Sequence, residues 1–197
     1  MTPQAESVLE LFRSTGAYLQ GHFRLTSGLH SAEYLQCALV LQHPAAAEKL
    51  GRWLAQDLRA LAPGRIDLVA SPALGGLIIG HEVARALGTR FLFTERDAGT
   101  GKMTLRRGFT VAPGETAVVV EDVITTGGST ADVIAVLRAA GSTVLAAGSI
   151  IDRSGGRADV GVPRVALATL QVAAHHMDEC PLCARGVPLV KPGSRPT

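Results

Sequence analysis

Residues 117–130 read AVVVEDVITTGGST, and no other stretch restricts the fold of this chain so strongly. A short valine-rich run, residues 117–121, is apolar up to Glu121 and has the character of a strand buried on both faces. Two adjacent carboxylates, Glu121 and Asp122, close it, and Thr125, Thr126, Gly127, Gly128, Ser129 and Thr130 then open a helix. A buried strand that turns directly into a helix is the unit of a parallel sheet covered by helices. In such sheets the carboxyl ends of the strands form the ligand crevice, so the acidic pair stands where a ligand sits.

The rest of the chain repeats the same theme. Strand 66–70 leads to helix 77–87, strand 90–94 follows, and after helix 129–140 comes strand 143–151. Ahead of this core, Ala47, Leu50, Leu54, Leu58 and Leu61 recur at helical spacing from Pro44 until Pro63 and Gly64 break the pattern. Thr2 and Pro3 read as the start of a first helix, with Val8, Leu11 and Phe12 on one face and Gly16 as its stop. Residues 18–41 alternate apolar and turn residues and read as short antiparallel strands. The expected architecture is therefore one domain: a small hood mainly of residues 1–41, an α/β core of about 44–170, and an irregular tail of 171–197.

Length and composition agree with a single globular domain. The chain has 197 residues, 47% of them hydrophobic and 18% charged, which is too apolar for disorder. Nineteen basic residues against 17 acidic ones leave a formal charge of +2 with no run of one sign. This gives no support to nucleic acid or a membrane surface as partner. No uncharged apolar stretch approaches the roughly 18 residues of a membrane span. Three cysteines, Cys37, Cys180 and Cys183, are too few for a disulfide framework and fit a reducing, cytoplasmic setting.

The chemistry sits in residues 121–130. Backbone N–H groups and hydroxyls at a helix N-terminus, with the helix dipole behind them, make a phosphate cradle. A carboxylate beside a phosphate repels it unless it faces something neutral or cationic, such as ribose hydroxyls or a metal ion. Ribose 5-phosphate satisfies both halves. A plain strand-to-helix turn capped by Ser129 is the alternative, and it leaves the acidic pair unexplained. The lysine of a nucleotide-triphosphate loop and the GxGxxG pattern are both missing here.

EDVITTGGST closely resembles the phosphoribosyl pyrophosphate signature of the type I phosphoribosyltransferases. FRLTSGLHS at 23–31, SPALGG at 71–76, IIDRSGG at 150–156 and the ending CPLCARGVPLVKPGSR extend the resemblance over most of the chain and direct it to the orotate-specific branch. The resemblance implies a type I phosphoribosyltransferase fold with a small N-terminal hood. It also implies transfer of ribose 5-phosphate from phosphoribosyl pyrophosphate to orotate, giving orotidine 5'-monophosphate and pyrophosphate in UMP biosynthesis. Carried over by position, Glu121, Asp122, Val123, Ile124, Thr125, Thr126, Gly127, Gly128 and Ser129 bind the ribose phosphate portion, together with Arg96 and Lys102 at the pyrophosphate. Thr125 and Arg153 contact orotate, and Lys102 and Asp122 carry catalysis. A Mg2+ ion is implied, held mainly by substrate, as is a homodimer in which the loop around Lys102 closes over a neighbouring subunit's site. Rival readings are a purine phosphoribosyltransferase and a non-catalytic sensor of phosphoribosyl pyrophosphate.

Three departures from the family pattern bear on the leaving group. Thr26 stands where relatives have a lysine in the orotate loop, and Leu74 and Gly75 stand where a lysine often follows an aromatic; the loop histidine of many relatives is missing too. Arg96, Lys102, Arg106 and Arg107, in the polar stretch between Glu95 and Gly114, are then left to supply the positive charge. That stretch reads as a long mobile loop or hairpin with no acidic run nearby to hold it closed. Displacement at the anomeric carbon builds positive charge on the sugar and negative charge on pyrophosphate, so both carboxylates and cations are required. Arg153 suits the carboxylate of orotate as a bidentate partner.

Cys180 and Cys183 form a CxxC with His175, His176 and Asp178 just upstream, ligand types that fit zinc, although a pair of reduced thiols is the commoner outcome of one such motif. Cys37 reads as a buried core thiol. His30 reads as structural or solvent-facing rather than catalytic.

Overall fold

The structure is a computed structural model that describes residues 2–25 and 28–192; Thr26 and Ser27 lie outside the described residues. Helix α1 (Pro3–Ser14) is capped by the Thr2 side chain, which accepts from the Ala5 N–H at 3.2 Å, with Pro3 in the first turn as expected. Strands β1 (Tyr18–Arg24) and β2 (His30–Leu35) form an antiparallel hairpin. Helices α2 (Cys37–Leu41) and α3 (Pro44–Leu61) follow. The core then runs β3 (Leu68–Pro72), α4 (Gly76–Leu87), β4 (Arg90–Arg96), β5 (Met103–Leu105), β6 (Thr116–Ile124), α5 (Gly128–Ala139), β7 (Thr143–Asp152) and β8 (Arg164–Thr169). A two-residue strand, β9 (Ala174–His175), and a short helix, α6 (Pro181–Ala184), lie in the tail.

The large sheet has the order β5-β4-β3-β6-β7-β8 and is parallel except for β5, which runs antiparallel to β4. Alternation along the strands divides the core in two. Val69, Val118, Val120, Ala146 and Ile150 face α1, α3 and α4, whereas Leu68, Ala70, Ala117, Val119 and Ala147 face α5 with Val133, Ile134 and Leu137. Because successive strand residues point to opposite faces, the same alternation sends Glu121 and Asp122 to opposite sides.

Several sequence expectations need correction. Residues 37–41 are helical rather than extended, because Cys37, Val40 and Leu41 are buried at helical spacing and the apolar stripe outweighs the alternation. Strand β6 does not stop at the acidic pair but continues to Ile124, pairing Val123 with Ile151 and Ile124 with Asp152. Strand β8, to which the sequence reading assigns no element, completes the far edge. The stretch from Glu95 begins as a hairpin, with Thr94, Glu95 and Arg96 opposite Leu105, Thr104 and Met103.

The hood is a three-stranded sheet of order β1-β2-β9, so part of the tail belongs to it. The tail also borders β1, where Arg24 N–H donates to Val190 O and Val190 N–H to His22 O, both at 2.8 Å. Helix α1 instead packs into the main core through Val8, Leu9 and Phe12.

Candidate active site

The parallel register of β6 and β7 builds the site. Pairing of Ile124 with Asp152 places the next residues of each strand side by side, and Arg153 N–H donates to Ile124 O at 2.8 Å. Thr125 and Arg153 therefore emerge together at the carboxyl edge of the sheet. They line a cleft of about 670 Å³ with Tyr34, Cys37, Asp122, Val123, Thr126, Ser154, Arg157 and Ala174. Tyr34 and Ala174 come from the hood, so the cleft lies between hood and core.

The loop after β7 is held by a buried carboxylate. Asp152 accepts from Ser154 N–H at 2.7 Å, Ser154 Oγ at 2.6 Å and Gly156 N–H at 3.0 Å, and pairs with Arg164 at 2.8 Å. Burial opposes ionisation of Asp152, yet the Ser154 and Arg164 partners bring its carboxyl below the usual range. Arg153 has the reverse character. Its Nε is buried without a hydrogen-bond partner, and among the described residues no carboxylate pairs with it. Desolvation lowers its affinity for the proton while Tyr34 and Cys37 act in the opposite direction. A half-buried guanidinium without an anion, at the wall of a cleft, has the charge and geometry to accept an external carboxylate or phosphate.

Asp122 lines the same cleft. Burial pushes its carboxyl up, and the Val123 N–H, donating to Oδ1 at 2.9 Å, partly offsets this. Beneath it the Cys37 thiol is buried and lies 4.0 Å from the Asp122 carbonyl oxygen; burial raises the thiol well above its ordinary range, in keeping with an inert core cysteine. Glu121 points the other way, toward α5, where the Thr130 hydroxyl donates to it. Burial raises the Glu121 carboxyl to about 7 despite that hydrogen bond, with the Asp122 charge adding to the rise. The acidic pair is thus two separate groups, one in the cleft and one under the first turn of α5.

Gly127 turns the chain into α5 with φ +84°, and a Cβ there would meet Val160 Cγ1 at 2.7 Å, so only glycine fits. Thr125, Thr126 and Gly128 are exposed around it, Ser129 is half-buried, and the opening amides of α5 face the crevice end of the sheet. Ile124, by contrast, is a core side chain.

The loop cations lie apart. Arg96 pairs with Asp132 on α5 at 2.9 Å, and Arg107 makes two bonds to Glu95, both at 2.8 Å. The sequence reading finds no acidic run to hold this loop, yet the fold supplies Asp132 and Glu95 singly, from a helix and from the neighbouring strand. Lys102 lines a second recess with Arg96, Asp132 and Val136, separate from the cleft of Asp122 and Arg153. Sequence reasoning missed Tyr34, Ser154 and Arg157 as cleft residues; RSGGR, directly after a buried strand, was the available signal for the last two.

The chain matches the family model described as "Phosphoribosyl transferase domain" over residues 38–179. It is similar to the orotate phosphoribosyltransferase of Heliobacterium modesticaldum, with 54% identity over 190 residues, covering 96% of this chain and 98% of that one. The enzyme of the same name from Pelotomaculum thermopropionicum is 53% identical over 190 residues, covering 96% and 97% of the two chains. Among solved structures, that of orotate phosphoribosyltransferase from Aeropyrum pernix superposes with a TM-score of 0.68 at 31% identity, covering 83% of this chain and 94% of that one.

Proposed function

The chain belongs to the phosphoribosyl transferase domain family, and from that premise we propose how its cleft transfers ribose 5-phosphate from phosphoribosyl pyrophosphate to orotate. The products are orotidine 5'-monophosphate and pyrophosphate, a step toward UMP. The observation that carries the reading is Arg153: an unpaired, half-buried guanidinium sharing one cleft with the Asp122 carboxylate and the Thr125–Thr126 turn. An aromatic-sized carboxylate such as orotate matches Arg153 and Tyr34. Thr125, beside Arg153, supplies a hydroxyl to the same ligand.

The 5'-phosphate belongs at the opening of α5, where Thr126, Gly127, Gly128 and Ser129 present amides and hydroxyls and the helix dipole favours an anion. Asp122 then stands near the ribose, where a carboxylate stabilises the positive charge that grows on the sugar as pyrophosphate departs. Glu121 acts through Thr130 and the first turn of α5 and is a positioning residue. Pyrophosphate also needs cations. Its divalent ion is Mg2+, which neutralises the leaving group when bound. The donor set suits an ion carried mainly by substrate, since of the acidic pair Asp122 alone reaches the cleft, where Asp159 is the other carboxylate in the lining.

Lys102 and Arg96 complete the site from a partner. Their recess lies outside the cleft of their own chain, and a two-fold dimer places each loop over the other subunit's pyrophosphate. The three free cysteines fit a cytoplasmic setting; among the described residues no helix is long and apolar enough to cross a membrane. The test is direct. Purified protein incubated with phosphoribosyl pyrophosphate and Mg2+ should consume orotate, followed by its ultraviolet absorbance, and should leave adenine and hypoxanthine untouched; turnover of a purine base without orotate turnover rejects the reading.

A further inference from the structure

The CxxC of the tail has partners other than the residues next to it in sequence. Cys180 and Cys183 meet His22 of β1 and His30 of β2, and one ligand atom from each of the four lies within 4.8 Å of all the others. His22 Nε2 is 3.0 Å from His30 Nδ1, 3.6 Å from Cys180 Sγ and 3.7 Å from Cys183 Sγ, and His30 Nδ1 is 3.2 Å from Cys183 Sγ. A tetrahedral zinc ion with nitrogen and sulfur ligands at about 2.0–2.3 Å requires ligand atoms about 3.3–3.8 Å apart. Four of the six separations match that spacing to within a few tenths of an ångström, and the other two stay within 4.8 Å. His22, His30 and Cys180 are buried, and Cys183 is half-buried.

The histidine orientations agree with metal ligation. His22 Nδ1 lies 2.7 Å from the Val187 carbonyl oxygen, which only accepts, so Nδ1 carries the proton and Nε2 presents its lone pair to the cluster. A ligating histidine whose other nitrogen donates to a backbone carbonyl is the usual outer-shell arrangement of protein zinc sites.

We propose that His22, His30, Cys180 and Cys183 bind one structural zinc ion that fastens the tail to the hood. Four protein ligands close the coordination sphere, so the site holds structure and performs no chemistry. Three chain segments meet there: β1, the start of β2, and α6 with the Cys180 that caps it. The same tail lies along both edges of the hood, through β9 on β2 and Val190 on β1. His175, beside β2 in the hood sheet, and His176 and Asp178 are outside the cluster, so the ligands adjacent to the CxxC in sequence are replaced by two from the hood hairpin.

Protein purified under reducing conditions from zinc-supplemented cells, then dialysed, should carry about one zinc per chain by elemental analysis. Cobalt replacement should give the visible bands of a tetrahedral ion with a sulfur charge-transfer band in the near ultraviolet. His176→Ala should keep its zinc, and Cys180→Ser/Cys183→Ser should lose it together with part of its thermal stability. Chelation of the unmodified protein should lower its Tm in the same way, which keeps the test open if the double variant misfolds. Unmodified protein that holds no stoichiometric zinc and takes up no cobalt, or that carries a Cys180–Cys183 disulfide instead, overturns the proposal. So does loss of zinc in His176→Ala.

Discussion

The Asp122 carboxylate rests against the backbone of Gly75: a Cβ added at Gly75 would lie 2.6 Å from Oδ1 and 2.8 Å from Oδ2. The loop after β3 and the end of β6 therefore share one space, and the missing side chain at position 75 gives the carboxylate its place at the cleft. The loop after β3 thereby makes room for an acid.

Gly75→Ala should push the Asp122 carboxylate aside and slow turnover by about tenfold or more, with little change in fold, since Gly75 has ordinary helical backbone angles (φ −56°). Asp122→Asn should slow it as well. The double variant should be no worse than the slower single one, because both changes act on one group. Rates that multiply instead would mean that the two residues work independently.

Arg153→Ala should weaken orotate more than phosphoribosyl pyrophosphate, by about 1.5–3 kcal/mol for one charge-assisted contact. Separate KM values for the two substrates measure this. Equal weakening of both would move Arg153 from the base to the phosphate half of the site.

Glu121 predicts a pH dependence of stability. Its pKa rises from the ordinary 4.5 to about 7 in the folded chain, so the native state binds this proton more tightly than the unfolded state. The associated stability is fully present below about pH 4.5 and is lost as pH rises toward 7. Relative to the unmodified protein, Glu121→Gln should become more stable over that interval, by about 3 kcal/mol at neutral pH. Urea midpoints of both proteins across pH 4.5–8 give the comparison; parallel curves would show that Glu121 stays ionised.

Sharing of the Lys102 loop between subunits is measurable by mixing. Lys102→Ala and Asp122→Asn subunits should each be inactive as pure dimers. In a hybrid with sharing, one site collects both lesions and the other none, so random equal mixing restores roughly a quarter of full activity. No recovery after verified subunit exchange would assign the loop to its own chain.

The sequence by itself determined the local grammar of the chain. Residues 117–130 specify a buried strand, an acidic pair and an anion-binding helix start, because strand burial, carboxylate placement and helix opening are all set by neighbours in sequence. The helices at α1, α3, α4 and α5 were legible for the same reason: their apolar spacing and their Pro and Gly boundaries are local. Even the divergence of Glu121 and Asp122 follows from the two-residue period of a strand.

Tertiary structure alone decided which distant residues meet. Arg153 faces the cleft without an anion because the β6–β7 register sets Asp152 against Ile124, a pairing 28 residues apart along the chain. Asp132 and Glu95 hold two of the four loop cations although no acidic run adjoins the loop. His22 and His30 join a CxxC some 150 residues away because the tail returns along both edges of the hood hairpin. Such contacts depend on strand order and chain reversal, which are fixed by the packing of whole elements against one another, and no local pattern in a single sequence encodes them.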